Sequence, residues 1–238
     1  MKLLLVDASY YFHRVFYVSP DNPKEGIKRT LQAAINLHQP DDMIVAFDAG
    51  KETFRSTLFP AYKANRPPSP EGYSAAVVAM KEGIRELGLE TAQAPGYEAD
   101  DVIGTLCARH DSYERIIIAK DKDLMQIISD GVSMCNDGTW VREVDVIEKF
   151  GVGPQRLTDV FGLSGDTSDG IPGVHGIGAK IASRLVNEYG NLESIYSRLS
   201  EIDANFKGGA RISALLSQSK DMAFLSRTLA TIKCDLEF

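Results

Sequence analysis

The sequence predicts an α/β core with a mostly parallel central sheet flanked by helices, followed by a C-terminal helical subdomain. Three observations carry that expectation. Aliphatic runs at Leu3–Val6, Met43–Phe47 and Arg115–Ala119 each lead directly into aspartate or into a Lys-Asp alternation, as buried parallel strands do when functional groups gather at their carboxyl ends. Patterns of helical period separate these runs. After about Gly151 no convincing strand follows, and helices joined by glycine-rich turns take over.

The segment Met1–Asp7 reads as the first strand, with one lysine and too few apolar residues for a signal peptide. Glu25–His38 is expected as a helix between the first two strands. Pro70–Leu87 is a further helix: Ser69 suits a cap, Pro70 suits the first turn, and Val77, Met80, Ile84 and Leu87 share a face. Tyr62–Pro70 (YKANRPPSP) is the most loop-like stretch, basic at its start and proline-rich at its end. Glu98–Arg109 is helical. Beyond Gly151, helices are expected over Pro154–Leu163, Gly178–Tyr189, Leu192–Leu199 and Arg211–Leu229. The division is therefore a core over 1–150 and a helical subdomain over 151–238.

The 238 residues, 44% apolar and 25% charged, suit a core with a smaller subdomain. No apolar run approaches the ~20 residues of a membrane span. Three scattered cysteines form neither a zinc pattern nor a disulfide framework, so a reducing cytoplasm is expected. The net charge of −7 argues against a nucleic-acid partner, unless the acids are concentrated. Setting aside nine acids that fall in one pattern leaves the remainder at +2.

That pattern consists of Asp7 and Asp48 after the first two strands, Asp121 and Asp123 after the third, Glu98, Asp100 and Asp101 opening a helix, and Asp166 and Asp169 in GDTSDG. Singly, each is a cap at a strand end or helix N-terminus, as Asp41, Asp42 and Asp145 are expected to be. Together on one edge they would repel strongly without a counter-ion. Oxygen donors with no His or Cys nearby suit Mg²⁺ or Mn²⁺, not Zn²⁺. Two such ions ~4 Å apart activate water and stabilise a leaving oxygen at a phosphodiester.

The segments VDASYYFHR, VAFDAG, YKANRPPSPE, PGYEADDVIGTL, AKDKDLMQII and GLSGDTSDGIPGVHGIGAKIASRLV occur in this order, and with them the chain resembles the 5′-nuclease (flap endonuclease) family from Lys2 to Phe238. The relatives are the exonuclease domain of bacterial DNA polymerase I and free-standing bacterial and phage enzymes, and the length suits a free-standing nuclease. The resemblance implies a first metal group of Asp7, Asp48, Glu98, Asp100 and Asp101, some acting through water. It implies a second of Asp121, Asp123, Asp166 and Asp169. It also implies an arch over 62–87, with Tyr62, Lys63 and Arg66 at its base. Lys63 and Arg66, three apart, are placed to face one phosphate and counter its charge; without the acids they would be a solvated basic loop. Arg14 matches a family arginine near the reacting phosphate, its alternative being a surface charge beside aromatics. Ala8 and His13 depart from the family's usual Gly and Tyr, and His13 is expected to be packed or partly exposed.

The turn Gly173–Gly178 follows no strand, which disfavours a dinucleotide-binding loop. It fits the family's helix–three-turn–helix, where Gly176, Gly178 and Lys180 meet DNA phosphates. The resemblance further suggests a K⁺ held by backbone carbonyls of Leu163, Ser164, Pro172, Val174 and Ile177. The expected function is a monomeric, metal-dependent 5′ nuclease acting on DNA flaps or single-strand/duplex junctions. An RNA-primer-removing enzyme and a non-catalytic DNA-structure-binding protein stay open as alternatives. A small PIN-type ribonuclease, similar in its core, lacks the glycine-rich turn.

Overall fold

The computed structural model describes all of residues 1–238. In chain order it comprises β1 (Lys2–Asp7), α1 (Ala8–Val18), α2 (Pro23–His38), β2 (Asp42–Ala46), α3 (Phe54–Leu58), α4 (Tyr73–Glu86), β3 (Glu90–Ala92), α5 (Ala99–Arg109), β4 (Glu114–Ile118), β5 (Val132–Asn136), β6 (Thr139–Val141) and α6 (Glu143–Phe150). The remainder is helical: α7 (Leu157–Ser164), α8 (Ala179–Tyr189), α9 (Leu192–Ser197), α10 (Leu199–Asn205), α11 (Gly209–Gln218) and α12 (Lys220–Ala230).

The six strands run in the order β3-β2-β1-β4-β5-β6, parallel except for β6. Strands β1 and β4 are neighbours in register, Val6 opposite Ile118, while β2 lies on the other side of β1. The strand order therefore reverses between β1 and β4, and the crevice beyond their carboxyl ends is where such sheets bind ligands. Leu3 to Val6 and Ile116 to Ile118 are at most 2% exposed. Each such side chain contributes about 1.5–3 kcal/mol of burial.

The three expected strands are present, whereas β3, β5 and β6 were not foreseen. Two of these are three residues long, and β5 (VSMCN) interrupts its apolar pattern with polar residues. Two helix expectations need correction. The helix placed at Pro70 begins at Tyr73, with Gly72 as its cap in the left-handed region and no capping side chain, so Ser69 caps nothing. The stacking of Tyr73 on His13, with centroids 4.9 Å apart, accompanies this later start. Arg211–Leu229 is not one helix: α11 closes at Gln218 and α12 opens at Lys220. The expected arch also contracts. Met80 and Ile84 bury α4 against the core, and Lys24 and Lys28 pair with Glu82 and Glu86 across α2 and α4.

One apolar cluster runs from Leu3 and Ile117 through α5 into α7, α8 and α12, so the helical part shares a core with the sheet. Past α12 the chain returns along α5, where Lys233 N donates to Asp101 and Leu236 N to Thr105.

Candidate active site

Asp7 closes β1, and Asp121 and Asp123 lie just past β4. Asp48 follows β2 and accepts a bond from Ala99 N at 2.9 Å, which ties the end of β2 to the start of α5. Asp100 sits in the first turn of α5. Asp166 and Asp169 occupy the turn after α7, closed by paired backbone bonds between Asp166 and Ile171. Topology thus brings together residues more than 150 positions apart.

Three of these aspartates share a local device. Asp7 Oδ1 accepts from Ser9 N and Oγ at 2.9 and 2.7 Å. Asp166 Oδ1 accepts from Ser168 N and Oγ at 3.0 and 2.7 Å. Asp121 Oδ1 accepts from Asp123 N at 2.9 Å. In each turn one oxygen is fixed by the residue two positions on, which leaves the other outside the turn. The D-x-S and D-x-D spacing is legible in sequence, but its meaning was missed.

Burial and the mutual repulsion of the group both appear in its acidities. Burial, then Asp48 and Asp121, push Asp7 up to about 6 against the opposing bonds from Ser9. Burial, then Asp121 and Asp7, push Asp100 well above the usual carboxylate range. Burial and the charges of Asp121, Asp169 and Asp166 push Asp123 up to about 8. Asp166 goes the other way: burial opposes its charge, but Lys122 and Ser168 hold it below the usual range.

These residues suit a hard divalent cation. Asp123 Oδ1 is buried without a hydrogen-bond partner, and an unpaired buried carboxylate oxygen is costly. Asp166 Oδ2 has only the Lys122 ammonium at 2.8 Å, outside hydrogen-bond geometry. The donors are all oxygen. As placed, no three acids form a closed ligand cage, so enclosing an ion calls for side-chain rotation and for water ligands, which Mg²⁺ retains readily.

Basic groups meet the acids from the segment before α4. Lys63 Nζ lies 2.6 Å from Glu98 Oε1 and 3.5 Å from Asp169 Oδ2. Arg66 Nη2 lies 2.7 Å from Asp169 Oδ1. The two thus converge on the Asp169 carboxylate. Burial works against the Lys63 charge, but Glu98 and Asp169 outweigh it and raise its pKa. Lys63 also holds a non-glycine φ of 54°, fixed by its N–H on the Asp169 carbonyl at 2.8 Å. Lys122, unassigned from sequence, is a third cation at the acids; the alternation in KDKD was its signal.

Two expectations are corrected. Asp101 does not face the other acids: it is fully buried, and Arg55 Nη1 and Nη2 reach its two oxygens at 2.6 and 2.8 Å. With Lys233 N on Oδ1 and Glu98 N on Oδ2 as well, both its oxygens are engaged within the chain. Tyr62 is not exposed for a nucleic acid. Its hydroxyl donates to Glu98 at 2.9 Å inside the core.

An open cleft of about 1000 Å³ lies before the acids, lined by Asp7, Asp121 and Asp169 on one side and by Arg14, Lys120 and Lys149 among others. Arg14 is ion-paired with Asp137 at its rim. His13 lines it too, stacked on Tyr73. In the glycine-rich turn, Gly173 is a packing residue: its N–H donates to buried Ser226 Oγ at 2.9 Å, and a Cβ there would overlap the Gly165 backbone. Gly176 (φ 85°), Gly178 and Lys180 lie at the surface where α8 begins. The Leu163 and Val174 carbonyls accept from Val174 N and Ile177 N.

Comparison with known proteins settles the family. Residues 2–151 match the 5′-3′ exonuclease N-terminal resolvase-like domain, and residues 152–238 match the 5′-3′ exonuclease C-terminal SAM fold. The chain belongs to the 5′-3′ exonuclease family. A DNA polymerase I from Pseudomonas aeruginosa is 39% identical over 250 residues, covering 99% of this chain and 27% of the polymerase. The chain thus spans a little over a quarter of the polymerases it matches. A 5′-3′ exonuclease from Buchnera aphidicola subsp. Schizaphis graminum is 31% identical over 249 residues, covering 98% of this chain and 87% of its own. In fold, the bacteriophage T5 D15 flap endonuclease, solved with DNA and metal ions, superposes with a TM-score of 0.83 at 23% identity over 98% of this chain and 90% of its own. The catalytic core of Rad2 with DNA superposes at 0.64 and 15% identity, over 99% and 79%. No helix is long and apolar enough to cross a membrane.

Proposed function

We propose that this 5′-3′ exonuclease family member hydrolyses DNA phosphodiester bonds at or near a free 5′ end with Mg²⁺ or Mn²⁺, and that flaps and single-strand/duplex junctions are its substrates. The observation that carries this reading is the carboxylate wall at the sheet's switch point, which holds the orphaned Asp123 Oδ1 and meets Lys63 and Arg66 at Glu98 and Asp169. Asp7, Asp100, Asp121, Asp123, Asp166 and Asp169 would hold the ions, with Asp48 alongside, and Glu98 would act through water or its bond to Lys63. Bound there, the ions would supply an activated water and charge neutralisation at the leaving oxygen.

The chain's own residues do the rest. When the scissile phosphate enters, Lys63 and Arg66 exchange their carboxylate partners for its non-bridging oxygens, where negative charge grows in the transition state. Their pairing with Glu98 and Asp169 keeps them in place beforehand. Arg14, Lys120 and Lys149 attract the strand into the cleft. Gly176, Gly178 and Lys180 at the start of α8 grip duplex phosphates without reading bases; the backbone carbonyls of Leu163, Ser164, Pro172, Val174 and Ile177 would hold a K⁺, which would add positive charge to that grip. A monomer suffices, since every group named lies in one chain.

A 5′-labelled flap duplex incubated with and without Mg²⁺, beside Asp121→Asn/Asp123→Asn, tests the reading. Cleavage near the junction that needs Mg²⁺ and falls at least ~10³-fold in the variant is expected. Flap binding without cleavage in either Mg²⁺ or Mn²⁺ would overturn it.

A further inference from the structure

Arg55 is 2% exposed and uses every donor of its guanidinium. Nε reaches the Leu229 carbonyl at 2.7 Å, Nη2 the Thr231 carbonyl at 2.8 Å and Asp101 Oδ1 at 2.8 Å, and Nη1 reaches Asp101 Oδ2 at 2.6 Å and Glu98 Oε2 at 3.1 Å. It therefore joins three parts of the chain: α3 before the basic segment, the start of α5, and the end of α12. Glu98 passes the constraint on. One of its oxygens accepts from both Arg55 and the Tyr62 hydroxyl, and the other holds Lys63 Nζ.

We propose that the buried Arg55–Asp101 pair is a positioning unit for the nuclease site and that Asp101 is not a metal ligand. The pair holds Glu98 at one geometry; Glu98 with Tyr62 then holds Lys63, whose left-handed backbone needs such support, against the acidic wall. Because Leu229 and Thr231 occupy the remaining donors, the end of the helical part is locked to the same point. The proposal deepens the nuclease reading and rests on it for the placement of Lys63. Its geometric core is that two fork bonds and two backbone N–H groups leave the Asp101 carboxylate nothing to offer an ion.

The test uses the full chain with Asp101→Asn, Arg55→Lys and Arg55→Met, and with Asp123→Asn and Asp159→Asn as controls. Mn²⁺ binding is read by calorimetry, and kcat and KM on a flap duplex with Mg²⁺. Asp101→Asn is expected to bind Mn²⁺ as the wild type does, whereas Asp123→Asn binds far more weakly. In Asp101→Asn and Arg55→Met, kcat should fall about 10–100-fold with KM for DNA little changed, and Arg55→Lys should recover part of the loss. Asp159→Asn disturbs an ion pair between buried Asp159 and the partly exposed Arg227 in the helical part and should keep kcat, which separates positioning from general loosening.

Mn²⁺ binding in Asp101→Asn as weak as in Asp123→Asn would overturn the proposal. So would wild-type kcat in all three network variants, or an equal loss in Asp159→Asn. If Asp101→Asn and Arg55→Met do not fold, Arg55→Lys keeps the charge but loses the planar fork and at least two of the five bonds, so its kcat decides. A wild type that never cleaves sinks the nuclease reading instead, and the Mn²⁺ arm still decides whether Asp101 is a ligand.

Discussion

Asp101 and Asp123 are both buried at the carboxyl edge of one sheet, yet their surroundings are opposite. Around Asp101, guanidinium and backbone N–H groups satisfy both oxygens. Around Asp123, one oxygen has no partner and the nearest charges are mostly other carboxylates. The first region has closed its polar accounts within the chain. The second leaves a deficit that a cation from outside would fill. A buried acid thus reveals its role less by burial than by what its oxygens touch.

The same substitution at both positions sharpens the comparison most. Asp101→Asn weakens a bidentate buried ion pair and should cost about 3–5 kcal/mol of metal-free stability. Asp123→Asn replaces a carboxyl whose charged form its surroundings disfavour and should leave stability unchanged or slightly higher, as read by urea unfolding in EDTA. Equal losses at both sites would erase the distinction.

Next in size is Lys63→Met. Removing one charge donor from the reacting phosphate should lower kcat about 10²-fold with Mn²⁺ binding retained, a split that single-turnover kinetics and calorimetry resolve together. Unchanged kcat would reduce Lys63 to a counter-ion for Glu98.

Acid–base behaviour supplies a third test. The folded-state pKa values of Asp7 (about 6) and Asp123 (about 8) lie above the ordinary carboxylate value. The native state therefore holds protons that the unfolded chain releases from about pH 4 upward, and metal-free stability should fall as pH rises towards 8. Asp166 is shifted downward and contributes the opposite way: its stabilisation is present above the unfolded carboxylate value and lost on acidification. Mg²⁺ should raise Tm by at least ~3 °C more at pH 8 than at pH 6. A metal-induced rise that shrinks with pH would mean the ions bind elsewhere.

The smallest effect is expected at the rim. Asp137→Ser frees the exposed Arg14 from its ion pair, which is worth little in stability, and should lower KM for the flap by no more than about threefold at low salt.

Much of this was legible beforehand. Aliphatic runs ending in aspartate placed β1, β2 and β4, because a strand buried on both faces leaves a continuous apolar signature. The gathering of acids at the sheet edge followed from that placement, and the ordered motifs pointed to the family. Strands β3 and β6 were not legible: edge strands of three residues bury too little to leave a pattern. The extent of the arch was misjudged because an amphipathic face records that α4 packs, and not against what.

Sequence by itself determined which residue types could meet at the end of the sheet, since strand direction and the Asp-x-Ser and Asp-x-Asp turns are local properties. Only the tertiary structure decided which acids stay open to an ion and which are consumed. In PGYEADDVIG, Asp100 and Asp101 are adjacent and chemically identical. They lie about 100° apart around α5, so one turns to the other aspartates and its neighbour meets Arg55, 46 residues away. That guanidinium is held in turn by carbonyls more than 170 residues further along the chain. Such a choice depends on which partners folding brings within ~3 Å of each oxygen, and those partners come from parts of the chain too distant for any local pattern to show.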